Sequence, residues 1–377
     1  MTARVPVNPR TLVWARTILR LEPEDVARAA NLAPERYLEI EAGGAEPTLR
    51  QARLIAKRLD RTLAFLLAPP PSEIDVAQTV DFRARATGSL PPALYKQIRR
   101  ADAQRAAFLD LVDSVAEVVK PGAIDFDNVA SRASEFRRAM GLRDGFRPSE
   151  SQAGAVFNFW RGQLEAKGYL VFQTTGVDHD VFRGLSIYHD ELPVILVNGA
   201  DAANGKVFSL FHEVAHIANR TSGVCMLAES VAIEALANRF AANFLMPEAE
   251  VRAMRPSPDR RELIRNVAGE FRVSQYAAAI RLRSLDLIDE ETLELFRIEA
   301  EADWARARQR LRDSEGFPPQ WTLRTRDVGP TYLGAVVEAL DSDRLTYLDA
   351  TYLLNARLGV VEHMIADFRR SGGSGRE

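Results

Sequence analysis

The sequence His212-Glu213-Val214-Ala215-His216 places two histidines four residues apart, with a glutamate directly after the first. On a helix, residues four apart lie on the same face, so both imidazoles can bind one metal ion while Glu213, about 100° round, leans over it. The flanking residues 207–218 are almost all apolar, which predicts a buried helix. Because an unpaired buried polar group costs roughly 1–3 kcal/mol, these three side chains need a partner, and a metal ion supplies one.

The third metal ligand is expected on the next predicted helix. A catalytic zinc ion takes three protein ligands and keeps a fourth position open. Glu234 lies three residues before Ala237, on the apolar stripe of the helix at 231–245. Glu229 is the alternative, about 140° further round the helix. We therefore favour Glu234, with His212 and His216, as the ligands of a Zn²⁺ ion.

A zinc ion held in this way activates water for attack on a carbonyl group. Glu213 is then the expected general base, taking a proton from the water and passing it to the leaving amine. The developing oxyanion needs a further donor. Four side chains near the predicted sheet are candidates, each with a structural or surface role as its alternative: Tyr188, His189, His179 and Arg183.

Two more residues near the predicted ligands each allow two interpretations. Asn238 follows Glu234 by one turn, so it either orients a metal ligand or bonds nearby backbone. Cys225, the single cysteine, lies between the two metal-bearing helices. Its thiolate would be a fourth zinc ligand that holds the enzyme inactive, or it is a small buried side chain.

Helix and turn signals give the elements that must position these residues, and they predict an α+β, mostly helical fold. Short helices are predicted at 11–21, 23–30, 34–42, 49–59 and 63–67, as in a helix-turn-helix bundle, and three prolines at 69–71 end it. Helices follow at 93–119, 129–140 and 152–166. Strands are predicted at 169–173, 184–189 and 194–198, followed by helices at 206–219, 231–245, 259–271, 274–282, 292–313 and within 332–368.

These elements predict a division into five segments. They are an all-α helix-turn-helix domain (1–71), a linker with a helical lead-in (72–150), a core with a small mixed sheet (151–285), a C-terminal helical region (286–370) and a flexible tail (371–377). The core holds the predicted metal ligands and so resembles a zincin-like metallopeptidase. A length of 377 residues with 46% hydrophobic residues is enough for two or three packed cores.

Composition favours a cytoplasmic protein without a membrane segment. No apolar stretch approaches the ~20 residues of a membrane span, and residues 1–10 lack the apolar core of a signal peptide. A single cysteine cannot form an internal disulfide. The arginines are scattered and balanced by 52 acidic residues, so the charge does not predict a dedicated nucleic-acid-binding surface.

Three stretches together resemble the ImmA/IrrE family of zinc metallo-endopeptidases, in the arrangement that fuses an XRE-type helix-turn-helix domain to the peptidase: FSLFHEVAHIANRTSGVC (208–225), EALANRFAANFLMP (234–247) and RGLSIYHDELPVILVN (183–198). With the amino-terminal segment, the resemblance covers roughly residues 10–285. It implies zinc ligation by His212, His216 and Glu234, with Glu213 as catalytic base. It also implies a bacterial or phage regulatory protease that cleaves an XRE-type repressor in a stress or mobile-element response.

Residues 11–67 resemble the XRE-type domain, including the turn at Glu41 and Gly43. The expected recognition helix at 34–42 carries one arginine and three glutamates, and acidic side chains repel phosphates. The expected partner is therefore a protein substrate, the XRE-type repressor. DNA contact through 11–67 is in doubt because of this acidic helix. No membrane partner is expected, and a homodimer is possible.

Three functions compete at this point. The first is an active endopeptidase that holds its substrate as an added strand along 184–189 or 194–198. The second is a DNA-binding transcriptional regulator whose peptidase-like domain is a sensor that does not cleave. The third is a scaffold with a structural zinc ion. The complete His/Glu/His set with Glu234 favours the first, and Glu213, which is not a ligand, argues against the third.

Overall fold

The computed structural model describes residues 4–19, 21–70, 91–177, 181–220, 231–313 and 318–372. The chain forms two compact units, Met1–Arg100 and Ala101–Glu377. The described residues are mostly helical with one small mixed sheet, which confirms the α+β fold class. None of their helices is long and apolar enough to cross a membrane. The five segment boundaries stay predictions.

The first unit is a bundle of short helices: α1 (Pro9–Ile18), α2 (Pro23–Ala29), α3 (Pro34–Glu41), α4 (Leu49–Arg58) and a 3-10 turn at Phe65–Leu67. Proline occupies the first position of α1, α2 and α3, where its missing N–H costs nothing. Asn31 takes a left-handed conformation (φ 54°) in the turn between α2 and α3. The helices share an apolar core that includes Leu12, Val26, Tyr37 and Ile40.

The lead-in helix is shorter than predicted. Helix α5 covers Pro92–Leu111, whereas the sequence predicts a helix to residue 119. The segment after it leaves the helix to bond with a turn of the second unit, where the Val119 N–H donates to the Lys167 carbonyl at 3.0 Å. A side chain at Gly168 would come within 2.7 Å of the Ala116 carbonyl. This close tertiary packing, which has no periodic signal in the sequence, outweighs the helical pattern of residues 112–119.

The sheet of the second unit has the order β1-β3-β2, with β1 at Leu170–Thr174, β2 at Gly184–Ile187 and β3 at Val194–Asn198. Strand β3 is central, parallel to β1 and antiparallel to β2. Every strand residue is buried. Strand β2 is therefore an antiparallel edge strand within the described sheet.

Four helices pack around this sheet and each other: α6 (Val129–Ala139), α7 (Ala153–Glu165), α8 (Ala203–Ala218) and α9 (Val231–Leu245). An aromatic cluster joins α7, α8 and α9. The rings of Phe211 and Phe244 stack with centroids 3.9 Å apart, and Trp160 meets both edge-on. Because α8 and α9 carry the predicted metal ligands, this cluster fixes the spacing of those ligands.

Seven helices follow: α10 (Glu248–Arg252), α11 (Arg260–Phe271), α12 (Gln275–Ser284), α13 (Glu290–Asp313), α14 (Gln320–Asp341), α15 (Tyr347–Leu353) and α16 (Leu358–Arg370). Helix α14 begins earlier than the predicted bundle and is kinked at Gly329, which has a φ of 76°. A side chain there would collide with the buried guanidinium of Arg161. Arg161 donates to the carbonyls of Val171 and Arg326, which ties α14 to β1.

Candidate metal centre

Helix α8 is anchored at its start and buried along its length. The Asp201 carboxylate accepts the N–H of Ala202, the residue that precedes the first turn of the helix, at 2.8 Å. The Lys206 ammonium donates to the Gln173 side chain on β1 at 2.9 Å, and burial lowers the pKa of this lysine to about 8. These contacts hold the helix against the sheet and leave its second half to carry the three polar residues of the motif.

The two histidines and Glu234 converge on one point. The Nε2 atoms of His212 and His216 are 3.1 Å apart. Glu234 places one carboxylate oxygen 3.3 Å from the Nε2 of His212 and the other 3.5 Å from the Nε2 of His216. Both imidazoles are buried, and the Glu234 side chain is 30% exposed. In the part of the chain that the structure describes, these three residues form the one group with metal-ligand geometry.

This donor set fits a tetrahedral zinc ion. Zinc binds imidazole nitrogen and carboxylate oxygen at 2.0–2.2 Å, so two ligand atoms at neighbouring tetrahedral corners are about 3.3–3.6 Å apart. The separation of the two Nε2 atoms, 3.1 Å, lies just below that range, and each Nε2 has one of the two Glu234 oxygens within it, at 3.3 or 3.5 Å. Two imidazoles and one carboxylate also leave one corner free, as catalytic zinc sites require.

Asn238 lies behind the first histidine. Its side-chain oxygen is 3.0 Å from the Nδ1 of His212. An oxygen acceptor there requires the proton on Nδ1, which leaves the Nε2 lone pair directed at the common point. The structure thus places Asn238 against a predicted ligand, and its role in orienting that ligand stays a prediction.

We expect Asn238→Ala to weaken zinc binding by about 10- to 100-fold, the usual effect of removing a partner behind a metal-bound histidine. Asn238→Asp keeps an oxygen acceptor and should retain most of the affinity. Competition with a fluorescent zinc chelator measures both variants. Equal affinity of the alanine variant and the wild type would remove this role from Asn238.

Glu213 lies against the edge strand β2. Its side chain is 1% exposed. A Cβ atom placed on Gly184 would lie 2.7 Å from Glu213 Oε1 and 3.3 Å from its carboxyl carbon. The carboxylate therefore occupies the space that any side chain at position 184 would fill. Gly184 is not among the site residues predicted from the sequence, although a glycine within a strand is the usual signal of such a close approach.

We expect Gly184→Ala to displace the Glu213 carboxylate without removing a metal ligand. A displacement of about 1 Å in a reacting group can lower the rate about 100-fold. Zinc content should stay at the wild-type level. Gly162→Ala is the matched control, because a Cβ there meets no atom within 4 Å. Wild-type turnover in Gly184→Ala would show that Glu213 tolerates the displacement or is not the base.

The backbone groups of β2 alternate between strand β3 and the opposite side of β2 at this point. The Asn198 N–H donates to the Arg183 carbonyl at 2.9 Å, so Arg183 and Asn198 form a hydrogen-bonded pair. Since such pairs alternate in antiparallel strands, Leu185 is bonded to β3, whereas Gly184 and Ser186 direct their backbone groups away from β3. The N–H and C=O groups of Gly184 and Ser186 thus line the edge beside Glu213.

The oxyanion candidates are placed as follows. The Tyr188 hydroxyl donates to Asp190 at 2.5 Å on the surface, and this hydrogen bond raises the pKa of Tyr188. His189 Nε2 is 3.3 Å from an Asp102 oxygen. Arg183 is exposed. His179, Cys225 and the alternative ligand Glu229 lie outside the described residues, so their predicted roles stay predictions.

Comparison with known proteins gives one domain match. Residues 165–283 match the family described as the IrrE N-terminal-like domain, peptidase family M78. A solved structure of a Mycobacterium tuberculosis transcriptional regulator shares 18% identity over 48% of this chain, with a TM-score of 0.30. This chain covers 51% of that protein, about half its length. No curated protein matches the chain. The matched segment holds β1 to β3, α8 and α9, and residues 165–283 are thus identified as an IrrE N-terminal-like domain.

Proposed function

We propose that this chain is a zinc-dependent endopeptidase that cleaves an XRE-type transcriptional repressor in a bacterial stress or mobile-element response. The convergence of His212, His216 and Glu234 at tetrahedral spacing carries the proposal. The IrrE N-terminal-like domain around them supports the peptidase class. A zinc ion bound there would supply Lewis acidity, polarising the scissile carbonyl and acidifying water.

Glu213 is the proton carrier of the proposed reaction. Its carboxylate accepts a proton from the attacking water and delivers it to the amine of the departing product. The residue follows His212 directly, so the helix holds it about 100° from the ligand face. Contact with the backbone of Gly184 limits its movement. A base fixed in this way keeps its orientation through both proton transfers.

The substrate is proposed to bind as an added strand along β2. Gly184 and Ser186 direct backbone groups away from β3, and an extended peptide can pair with them, as in other β-strand additions, once it displaces what buries this edge. That peptide would pass Glu213, because Glu213 lies against Gly184. Backbone pairing at this edge orients the substrate without restricting its side chains. The sequence predicts the strand at 184–189 or the strand at 194–198 as the docking edge. Because β3 (194–198) is the central strand of the sheet, β2 is the proposed docking edge.

The first unit is proposed to recognise the repressor as a protein. On α3, Glu35 and Glu39 are exposed, and Arg36 is paired with Glu39 at 2.5 Å. Glu41 is buried and bonded to Arg16 at 2.7 Å, so it does not add to the surface charge. The exposed face remains acidic, which disfavours phosphate contact and suits a basic helix-turn-helix protein.

A substrate trap tests this proposal. The Glu213→Gln variant should keep its metal ligands and capture uncleaved repressor from a set of purified XRE-type repressors. The wild-type chain should convert the captured repressor into fragments, which intact-mass spectrometry would identify. Failure of the wild type to cleave any repressor that the trap retains would overturn the proposal.

The second candidate is a regulator that senses without cleaving. The burial of the base favours it, because Glu213 and His216 are each 1% exposed and a substrate must displace whatever covers them. The two functions differ in their dependence on Glu213. Regulation without cleavage should survive Glu213→Gln, whereas regulation by proteolysis should be lost in that variant. Transcription of a repressed reporter gene in cells carrying either form measures the difference.

A further inference from the structure

The C-terminal helices repeat the geometry of the amino-terminal helix-turn-helix. Helix α2 has seven residues and α15 has seven residues, and each is followed by a four-residue turn before the next helix. Positions in α15 and α16 lie 324 residues after their counterparts in α2 and α3. In both cases a preceding helix, α1 or α14, completes a three-helix arrangement. The sequence analysis predicts only a helical bundle in this region.

The start of the first helix and the turn agree in detail. A capping box between Glu22 and Asp25 opens α2, and one between Thr346 and Asp349 opens α15 at the equivalent positions. Asn31 has a φ of 54°, and its equivalent Asn355 has a φ of 47°. A left-handed residue in the turn is what reverses the chain between two helices of this kind.

The buried residues also coincide. Four buried apolar residues of the first helix pair have buried apolar equivalents in the second: one in the first helix, one at its C-terminal end and two in the second helix. The equivalent pairs are Val26 and Ala350, Ala30 and Leu354, Tyr37 and Val361, and Ile40 and Met364. All eight are at most 1% exposed. The segment from α14 to α16 is therefore a second helix-turn-helix unit.

The outer face of this second unit is apolar. Four large side chains are open to solvent, Tyr347 at 44%, Leu348 at 63%, Tyr352 at 61% and Leu358 at 49%. In the first unit the equivalents of Leu348 and Tyr352 are Glu24 and Arg28. In the first unit, where these two positions are exposed to solvent, they carry charged side chains. The apolar face (Tyr347, Leu348, Tyr352 and Leu358) thus indicates a surface that is covered by protein.

DNA does not fit this face. Residues 342–372 contain four basic and four acidic side chains, whereas a DNA-binding unit needs an excess of positive charge. The first turn of α16, which in such units reads base edges, is Leu358-Gly359-Val360 and has no hydrogen-bonding side chain. Arg369 and Arg370 are paired with Asp341 and Asp367.

We propose that the apolar face binds the same face of a second copy of this chain. In a two-fold contact the same patch of both copies meets, so the charges of the patch face one another. Such a contact requires a surface with balanced basic and acidic side chains, as this surface has. Four large side chains that are about half exposed offer on the order of 400 Å², taking ~200 Å² for each. A standard interface buries ~800 Å² per partner and is somewhat more than half apolar, so the apolar face supplies its core and the charged residues around it supply the rim.

Sedimentation of the full chain tests the proposal over a hundredfold range of concentration. The wild type should show a monomer–dimer equilibrium. Leu348→Glu with Tyr352→Glu should weaken the dimer at least about 30-fold, the size of a hot-spot loss. Ile298→Glu is the matched control, since Ile298 is 51% exposed but lies on α13, and it should sediment as the wild type does.

Hydrogen exchange of the wild type keeps the test independent of variant folding. Residues 347–358 should exchange more slowly at high than at low protein concentration. A wild type that stays monomeric, or a dimer that persists in the double variant, would overturn the proposal. So would salt-sensitive DNA binding that is lost in Arg357→Ala, because that result assigns the face to DNA.

Discussion

Glu213→Gln is expected to lower the cleavage rate of a repressor substrate by at least about 10³-fold. General acid–base catalysis typically contributes about 10²–10⁴-fold to a rate, and this variant loses that contribution. Glutamine has nearly the same shape, so it can occupy the space beside Gly184, but it cannot accept a proton from water. The loss should appear in kcat and leave KM nearly unchanged, because the group acts on the reacting atoms. Stopped digestion followed by intact-mass spectrometry gives the rate.

Zinc content distinguishes a lost base from a lost site in this variant. Glu213 does not belong to the group of His212, His216 and Glu234, so Glu213→Gln should retain one zinc ion per chain. Glu248→Gln, a change to an exposed residue of α10, is the control and should cleave as the wild type does. Full activity in Glu213→Gln would remove Glu213 as the base, and loss of zinc would assign it to the metal site instead.

His216→Ala has the second large expected effect, the loss of metal binding. The change removes one corner of the donor set, leaving His212 and Glu234, whose closest ligand atoms are 3.3 Å apart. Affinity for Zn²⁺ should fall by more than the 10- to 100-fold loss that is typical when a hydrogen-bond partner of a metal ligand is removed. Because a ligand at 1,000 times its Kd stabilises a folded protein by about 4 kcal/mol, the wild type should gain Tm on zinc addition and the variant should not.

The matched control for this variant is His363→Ala. His363 is exposed on α16 and its Nδ1 lies 2.6 Å from the Gly359 carbonyl. This variant should bind zinc and gain Tm as the wild type does. An undiminished zinc-dependent Tm shift in His216→Ala would contradict the assignment of His216 as a ligand.

The sequence predicts most of the centre because its signals are local. His212 and His216 share a helix face through their spacing alone, and Glu234 lies on the apolar stripe of a helix whose predicted bounds match α9. Strand β3 matches its predicted bounds for a similar reason, since its run of apolar residues is bounded by clear turns. Local periodicity is sufficient wherever a residue's role depends on its own helix or strand.

The features that the sequence does not predict depend on distant contacts. Gly184 has no functional group, and it matters to the site only because the fold places it against Glu213. Helix α5 ends at Leu111 because later residues bond to the turn at Lys167, and α14 is kinked at Gly329, where Arg161 fills the space that a side chain would need. When these contacts are unknown, the Gly-Pro pair in α14 predicts a helix boundary. The second helix-turn-helix unit is recognisable only when burial at α15 and α16 is compared with burial at α2 and α3.

X-ray absorption at the zinc edge of the full chain reports the ligands of the proposed metal centre. We expect one zinc ion per chain with two imidazole nitrogens and carboxylate oxygen at about 2.0–2.2 Å, and one imidazole fewer in any zinc that His216→Ala still holds. A spectrum without two imidazoles, or one unchanged in His216→Ala, would contradict the assignment of this site as the catalytic metal centre.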